Sequence, residues 1–529
     1  MNGISRRSGL LIPLFSAPST VSWGIGDIGD IEPMCAWLAS AGQRILQLLP
    51  LNEMASGNQS PYSAMSAMAI DPIYISLGRV EEFAARGGEA SLDDADRRAL
   101  AEVRAAPHIQ YDVTREIKHR ALCAAFDRFE HAPPADPARA AAFVAYTKAE
   151  SWWLDDYALF RAIHDRESGR SWTEWPEPLR RRDAGALADA RRTLARDVRF
   201  YQYLQWLAGE QWQRARAAAR SVGVELFGDL PFMVDTHSAD VWAHQTQFEL
   251  DRSVGVPPDA FSATGQDWGM PPYNWSALGA DDFEWLRRRA RRSAALYDGY
   301  RVDHLVGFYR TYSRSRSESA EPEFSPSTEP EQQRLGERVL QLFRDAGAEI
   351  VAEDLGTVPD FVRMSLADMR VPGFRVFRWE REWEAEGQPF RDPADYPPVS
   401  VATTGTHDTE PLAAWWNTAS EEEHAAVAAL PTVARLACGT DLLHTAYEPR
   451  VREVLLEALV ASGSDIVLFP IQDVFGWTER INEPATVSSA NWTYRLPWAI
   501  DRLESQPQAA QCRDALRRWC QQYGRTKER

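Results

Sequence analysis

Four carboxylates stand at the ends of short apolar runs: Asp229 in LFGDLP, Asp303 in GYRVDH, Glu353 in IVAEDLG and Asp408 in TTGTHDTE. A carboxylate in that position commonly caps the helix that follows, so any one of them alone reads as structural. Four together, two beside histidines (Asp303-His304 and His407-Asp408) and one close to Arg301, read as a reactive cluster. The chemistry such a cluster suits is cleavage of a glycosidic bond with retention. One carboxylate attacks the anomeric carbon while a second, about 5–5.5 Å away, protonates the leaving oxygen. The attacking group must stay ionised. Arg301, two residues before Asp303, falls on the same side of its strand and can hold a cation against it. The protonating group must keep its proton near neutral pH, which burial beside other carboxylates achieves. Asp408 would then bond sugar hydroxyls and steady the oxocarbenium-like transition state. His237 and His244 stand at a spacing metal ligands can use, but no third ligand completes a pattern, so no metal is expected.

These residues need a scaffold that brings distant strand ends to one place. Apolar runs followed by polar or glycine-containing turns recur at residues 10–15, 45–51, 224–229, 299–304, 349–354, 374–379, 399–405 and 465–471. Continuous apolar runs of this length mark parallel strands buried on both faces. Helical segments such as Phe283–Tyr297 and Glu331–Ala346 separate them. The alternation predicts a (β/α)8 TIM barrel, an α/β fold whose C-terminal strand ends share one mouth. The whole chain, 1–529, is expected to form one such barrel. Residues 80–220 read as one or two mainly helical insertions mounted on the barrel, with periodic segments at Ala138–Asp165 and Ala186–Ser221. The polar, proline-dotted stretch 313–333 reads as an irregular, mobile loop near the mouth.

The bulk composition agrees with a globular enzyme. Hydrophobic residues make up 44% and charged residues 25% of the 529, enough for a large core. The net charge of −18 repels phosphate backbones and anionic lipid, so neither nucleic acid nor membrane is an expected partner, and a neutral substrate fits better. Five scattered cysteines without a CxxC pair argue against a disulfide framework and suit a cytoplasmic protein. The opening run LLIPLF reads as a first buried strand rather than a signal peptide. The 20 tryptophans and 16 tyrosines can stack on sugar rings or simply fill a core.

The segments GYRVDHLVGF, IVAEDLG and TGTHD resemble, in order, the nucleophile, acid/base and stabiliser segments of the 4-α-glucanotransferases, also called amylomaltases or disproportionating enzymes (glycoside hydrolase family 77, α-amylase clan). WGIGDIGD, SPYSAMSAMAIDPIYISL, GDLPFMVDTHSADVW and GVPPDAFSATGQDWGMPPYNW extend the resemblance, which runs from about residue 9 to 498. It implies that Asp303 is the nucleophile, Glu353 the acid/base and Asp408 the stabiliser. It further implies that Arg301 orients the nucleophile and that His407, Asp229 and Tyr62 border the cleaved subsite. Trp268 and Gln266 would line the glucan path, and Asn482 would contact substrate. Arg495 reads as structural, and His304 keeps no assigned role. The implied substrates are an α-1,4-glucan donor and a glucose or maltooligosaccharide acceptor, with no cofactor.

This chain departs from the family pattern at Thr409 and Glu410 after TGTHD, at Met270 after the GQxW segment, at Ala263 and at Ala490. None of these removes a carboxylate; they bear on donor length and acceptor. Two rivals to transfer share the sequence. An α-glucan hydrolase would use the same site with water as acceptor, and a non-catalytic glucan binder would have little reason to keep three catalytic carboxylates.

Overall fold

The computed structural model describes residues 6–55, 57–131, 137–258, 265–317, 321–484, 486 and 488–526. Its strands are β1 (Arg7–Leu11), β2 (Ile45–Gln47), β3 (Glu225–Leu230), β4 (Arg252–Val256), β5 (Gln266–Asp267) and β6 (Gly299–Val302), followed by β7 (Thr311–Ser315), β8 (Glu323–Ser325), β9 (Glu349–Ala352), β10 (Gly373–Val376), β11 (Ser400–Thr403) and β12 (Ile466–Pro470). Eight of them close into a parallel barrel in the order β1-β12-β11-β10-β9-β6-β3-β2. Each of the eight apolar runs read from the sequence contributes one of these strands. The (β/α)8 reading holds.

The barrel is filled by its own strands. Ile45, Phe227, Val351, Phe374, Val401, Ile466 and Leu468 form a cluster separate from the larger one outside. Such layered filling makes the barrel a packed core rather than a pore. Gly299 is required by that filling, since a Cβ there would lie 2.6 Å from the Phe227 ring. At the N-terminal end of the strands, buried Arg7 pairs with Glu225 and, at 2.8 Å, with Glu349. Asp229, Asp303 and Glu353 lie at the opposite end.

Between β2 and β3 the chain builds a helical layer, dominated by Pro137–Arg166 packed along Ala195–Ser221. The helix expected over 186–221 is two helices, Ala184–Thr193 and Ala195–Ser221, parted at Leu194. Thr193 turns its hydroxyl back onto the carbonyls of Asp189 and Ala190, the local bonding by which threonine competes with a continuing helix. The stretch 313–333 also differs from the expected irregular loop. It carries the end of β7, all of β8 and the start of the helix Glu329–Asp345. β5, β4, β7 and β8 form a four-stranded sheet in that order, antiparallel at each pairing.

Among the described residues no helix is long and apolar enough to cross a membrane. All five cysteines are free thiols.

Candidate active site

Register sets the centre of the site. β6 lies between β3 and β9, with Asp229 opposite Arg301 and Val302 opposite Ala352. Asp303 and Glu353 are therefore the next residues on neighbouring strands. The backbone continues the ladder past both: Asp303 N donates to Leu230 O and Glu353 N to Val302 O, each at 3.0 Å.

Arg301, only 5% exposed, spans two carboxylates. One guanidinium nitrogen donates to Asp229 Oδ2 at 2.7 Å and the other lies 2.6 Å from Asp303 Oδ1. A guanidinium fork can hold two acceptors at once, which a lysine ammonium does less well. Asp229 is fully buried, and burial raises its pKa against the pull of Arg301.

Glu353 is set differently. Its Oε2 accepts the His304 N–H at 2.8 Å and its Oε1 accepts the Leu355 N–H at 3.0 Å. Burial is the largest influence on its carboxyl and raises it. The charge of Asp303 adds to the rise, Arg301 and the two amides oppose it, and the result is about 7. Adjacent strands thus present one carboxylate clamped to a cation and another that holds its proton close to neutrality.

Asp408 arrives from the loop after β11. Its Oδ2 lies 3.2 Å from His407 Nε2, and its Oδ1 accepts from Asn482 Nδ2 at 2.6 Å. Burial works to raise this carboxyl, but His407, Asn482 and Arg301 together outweigh it and hold it at about 2. Tyr62 closes the circle from the segment between β2 and β3. Its hydroxyl donates to Asp229 Oδ2 at 2.8 Å, and its ring stacks on His407.

Trp268, just after β5, meets the His304 ring edge-on and donates its indole N–H to Gln266 Oε1 at 3.2 Å. Direct contacts thus link Asp303, Arg301, Asp229, Tyr62, His407, Asp408 and Asn482, while His304 joins Glu353, through its backbone N–H, to Trp268 and Gln266, through its ring. Among the described residues no group of three or more His, Cys, Asp or Glu side chains could hold a metal ion. His237 bonds Ser171, whereas His244 lies against Trp285.

The family model for 4-alpha-glucanotransferase matches residues 12–501. The chain belongs to that family. It is 32% identical to the 4-alpha-glucanotransferase of Chlamydia pneumoniae over 509 residues, covering 95% of this chain and 93% of that one. It is 33% identical to the 4-alpha-glucanotransferase of Thermus thermophilus over 506 residues, 93% and 95% of the two chains. Among solved structures, an amylomaltase from Streptococcus agalactiae in complex with acarbose superposes with a TM-score of 0.82 at 25% identity, covering 98% of this chain and 99% of that one. The enzyme class is accordingly glucan transfer, and these relatives favour it over the hydrolase reading.

The departures from the 4-alpha-glucanotransferase pattern take definite places. Thr409 ties its own loop, donating to Thr406 O at 3.0 Å and accepting from Thr406 N at 2.9 Å. Glu410 meets Arg378 at 3.2 Å. Met270 is half-buried against the core, with its carbonyl accepting from Val254 N at 2.8 Å. Ala490 is exposed, and Ala263 lies outside the described residues. Arg495 bonds the carbonyls of Val103 and Ala106 at 3.0 and 2.8 Å, a structural use.

Residues not picked out from the sequence complete the site. Arg480 donates to Asp408 O at 2.7 Å. Trp492 packs on Tyr62 and His407, with ring centroids 5.7 Å away in each case. It does so with φ at +65°, a conformation a bulky residue rarely adopts. Its N–H donates to Ile481 O at 2.7 Å and its C=O accepts from Tyr111 Oη at 2.9 Å. The Asn-Trp pair in NWTYR was the available signal for Trp492. Arg480 has none beyond proximity to Asn482.

Proposed function

We propose that Asp303 attacks the anomeric carbon of an α-1,4-glucan while Glu353 protonates the departing 4-oxygen, leaving a glucan chain covalently joined to Asp303. The 4-hydroxyl of a glucose or maltooligosaccharide acceptor, deprotonated by Glu353, then displaces Asp303 and restores both carboxyl groups. Asp408, ionised and braced by His407 and Asn482, stabilises the positive charge that develops on the sugar ring. Asp229, Tyr62 and His407 border the sugar being transferred, and Trp268 and Gln266 line the chain's approach. The enzyme works on starch- or glycogen-derived chains, and its five free thiols suit a cytoplasmic setting.

One observation carries this reading: the contrast between Asp303, 2.6 Å from a buried guanidinium, and Glu353, buried on the adjacent strand and bonded by two amides. The two groups have the unequal environments that nucleophile and acid/base need. Incubation with maltotriose tests it. A ladder of longer oligosaccharides is expected from the parent, and none from Asp303→Asn, which still binds maltooligosaccharide. Near-normal turnover by that variant sinks the assignment. Glucose and maltose as the parent's sole products would mean hydrolysis.

A further inference from the structure

His304 belongs to the strand-end cluster, yet the mechanism above gives its side chain no work. Its backbone is unusual, with φ at +42° in the left-handed region, which Cβ resists. That turn aims its N–H at Glu353 Oε2, 2.8 Å away. The neighbouring Leu305 N–H donates to the Glu353 carbonyl at 3.3 Å, so the turn grips both ends of the same residue. The imidazole is wedged between two aromatics. Trp268 meets it at 4.8 Å between centroids with the planes at 82°, and Phe232 lies at 5.8 Å. Neither wall can easily shift. Trp268 N is bonded to Val254 O in β4 at 2.9 Å, and Phe232 sits over Gly307, where a Cβ would approach its ring to 2.6 Å.

We infer that His304 is a positioning residue: its ring, seated between Trp268 and Phe232, maintains the left-handed turn whose amide holds the Glu353 carboxylate in place for proton transfer. Burial keeps the imidazole neutral, with its pKa lowered to about 4, so the ring serves as a packed aromatic rather than as a cation. The arrangement joins the glucan path to the chemistry. Any displacement of Trp268 reaches the acid/base through one intervening side chain. Misplacing a proton donor by about an ångström is enough to lose roughly 100-fold in rate.

The inference rests on Glu353 being the acid/base, and the test separates the two claims. Maltotriose needs its leaving oxygen protonated, whereas α-maltotriosyl fluoride loses fluoride without that help. The ratio of kcat/KM for the two substrates, taken on one preparation, reports acid catalysis whatever fraction of the protein is folded. His304→Gly keeps the turn accessible and the N–H present but removes the ring; His304→Asn does so with a residue that tolerates the left-handed region. Both are expected to lower kcat/KM for maltotriose at least 10-fold while changing that for the fluoride less than about 3-fold. Combining His304→Gly with Trp268→Phe is expected to shift the ratio no further than His304→Gly alone, because one link is already broken. Glu353→Gln serves as the reference. If it shows no split between the substrates, the functional reading fails. If it shows the split and neither His304 variant does, or if Trp268→Phe and His304→Gly multiply independently, the positioning role is overturned.

Discussion

Tyr62 lies nearly flat against His407, with ring centroids 5.3 Å apart and planes 17° apart, while its hydroxyl donates to Asp229 Oδ2 at 2.8 Å. One side chain therefore joins the loop that carries Asp408 to the strand pair that carries Asp229, Arg301 and Asp303. The two contacts can be separated. Tyr62→Phe keeps the stack and loses the bond to a carboxylate, which is worth about 1.5–3 kcal/mol, or roughly 10- to 100-fold in kcat/KM. Tyr62→Ala also frees His407 and is expected to cost at least a further ~5-fold. Glucose release from maltotriose measures both. Equal losses in the two variants would show that the stack contributes nothing.

The raised carboxyl of Glu353 gives two linked expectations with opposite readouts. As the proposed acid, Glu353 must be protonated for glycosylation, so kcat/KM for maltotriose should decline as pH rises through about 7, approaching tenfold per pH unit beyond it. Stability follows from the same displacement. The folded protein holds this proton more tightly than the unfolded chain does, whose glutamates titrate near 4.5. The group's contribution is thus full below about pH 4.5, is lost as pH rises towards 7, and is flat above. Glu353→Gln removes the penalty. It is expected to be inactive in transfer yet more stable than the parent at pH 8, by on the order of 1–3 kcal/mol, with the gap closing near pH 4.5. Denaturant unfolding at the two pH values checks the sign.

Arg301→Lys tests the fork. The guanidinium reaches Asp229 and Asp303 with separate nitrogens at 2.7 and 2.6 Å, and one ammonium cannot duplicate both contacts. A loss of roughly 100-fold in kcat is expected, with KM for maltotriose changed little, because the change falls on the orientation of Asp303, the carboxylate proposed to attack. A rise in KM at unchanged kcat would instead place Arg301 in substrate binding alone.

These expectations draw on features of unequal legibility in the chain. The barrel strands could be read because each is largely buried and carries a short apolar stretch, such as Ile350–Ala352 in EIVA and Val401–Ala402 in SVAT. Strands β4, β5, β7 and β8 could not. RSVGV, QD, TYSRS and EFS are short, rich in polar residues and only partly buried, and a serine- and proline-dotted stretch looks irregular whether or not it pairs. Within the site, Asp303 and Glu353 were legible because a parallel barrel sends every strand end to one mouth. The seat of Tyr62 on His407, the Trp492 ring against that pair and the left-handed turn at His304 depend on how loops from distant parts of the chain meet. No local pattern records that.

The far end of the barrel offers a test of stability without chemistry. Arg7 is buried on β1 and faces Glu225 at the start of β3 and Glu349 at the start of β9. Arg7→Met removes a cation that two carboxylates share, and loss of one partner from a buried ion group costs about 3–5 kcal/mol. Replacing the whole group removes the charges that made the loss expensive. Arg7→Met combined with Glu225→Gln and Glu349→Gln is therefore expected to recover most of that stability in urea unfolding. Turnover per folded molecule should stay within about 2-fold of the parent throughout, since the mouth lies at the other end of the strands. If the triple variant is no more stable than Arg7→Met, the arginine contributes through its packing against the Phe227 ring, 5.9 Å away, rather than through its charge.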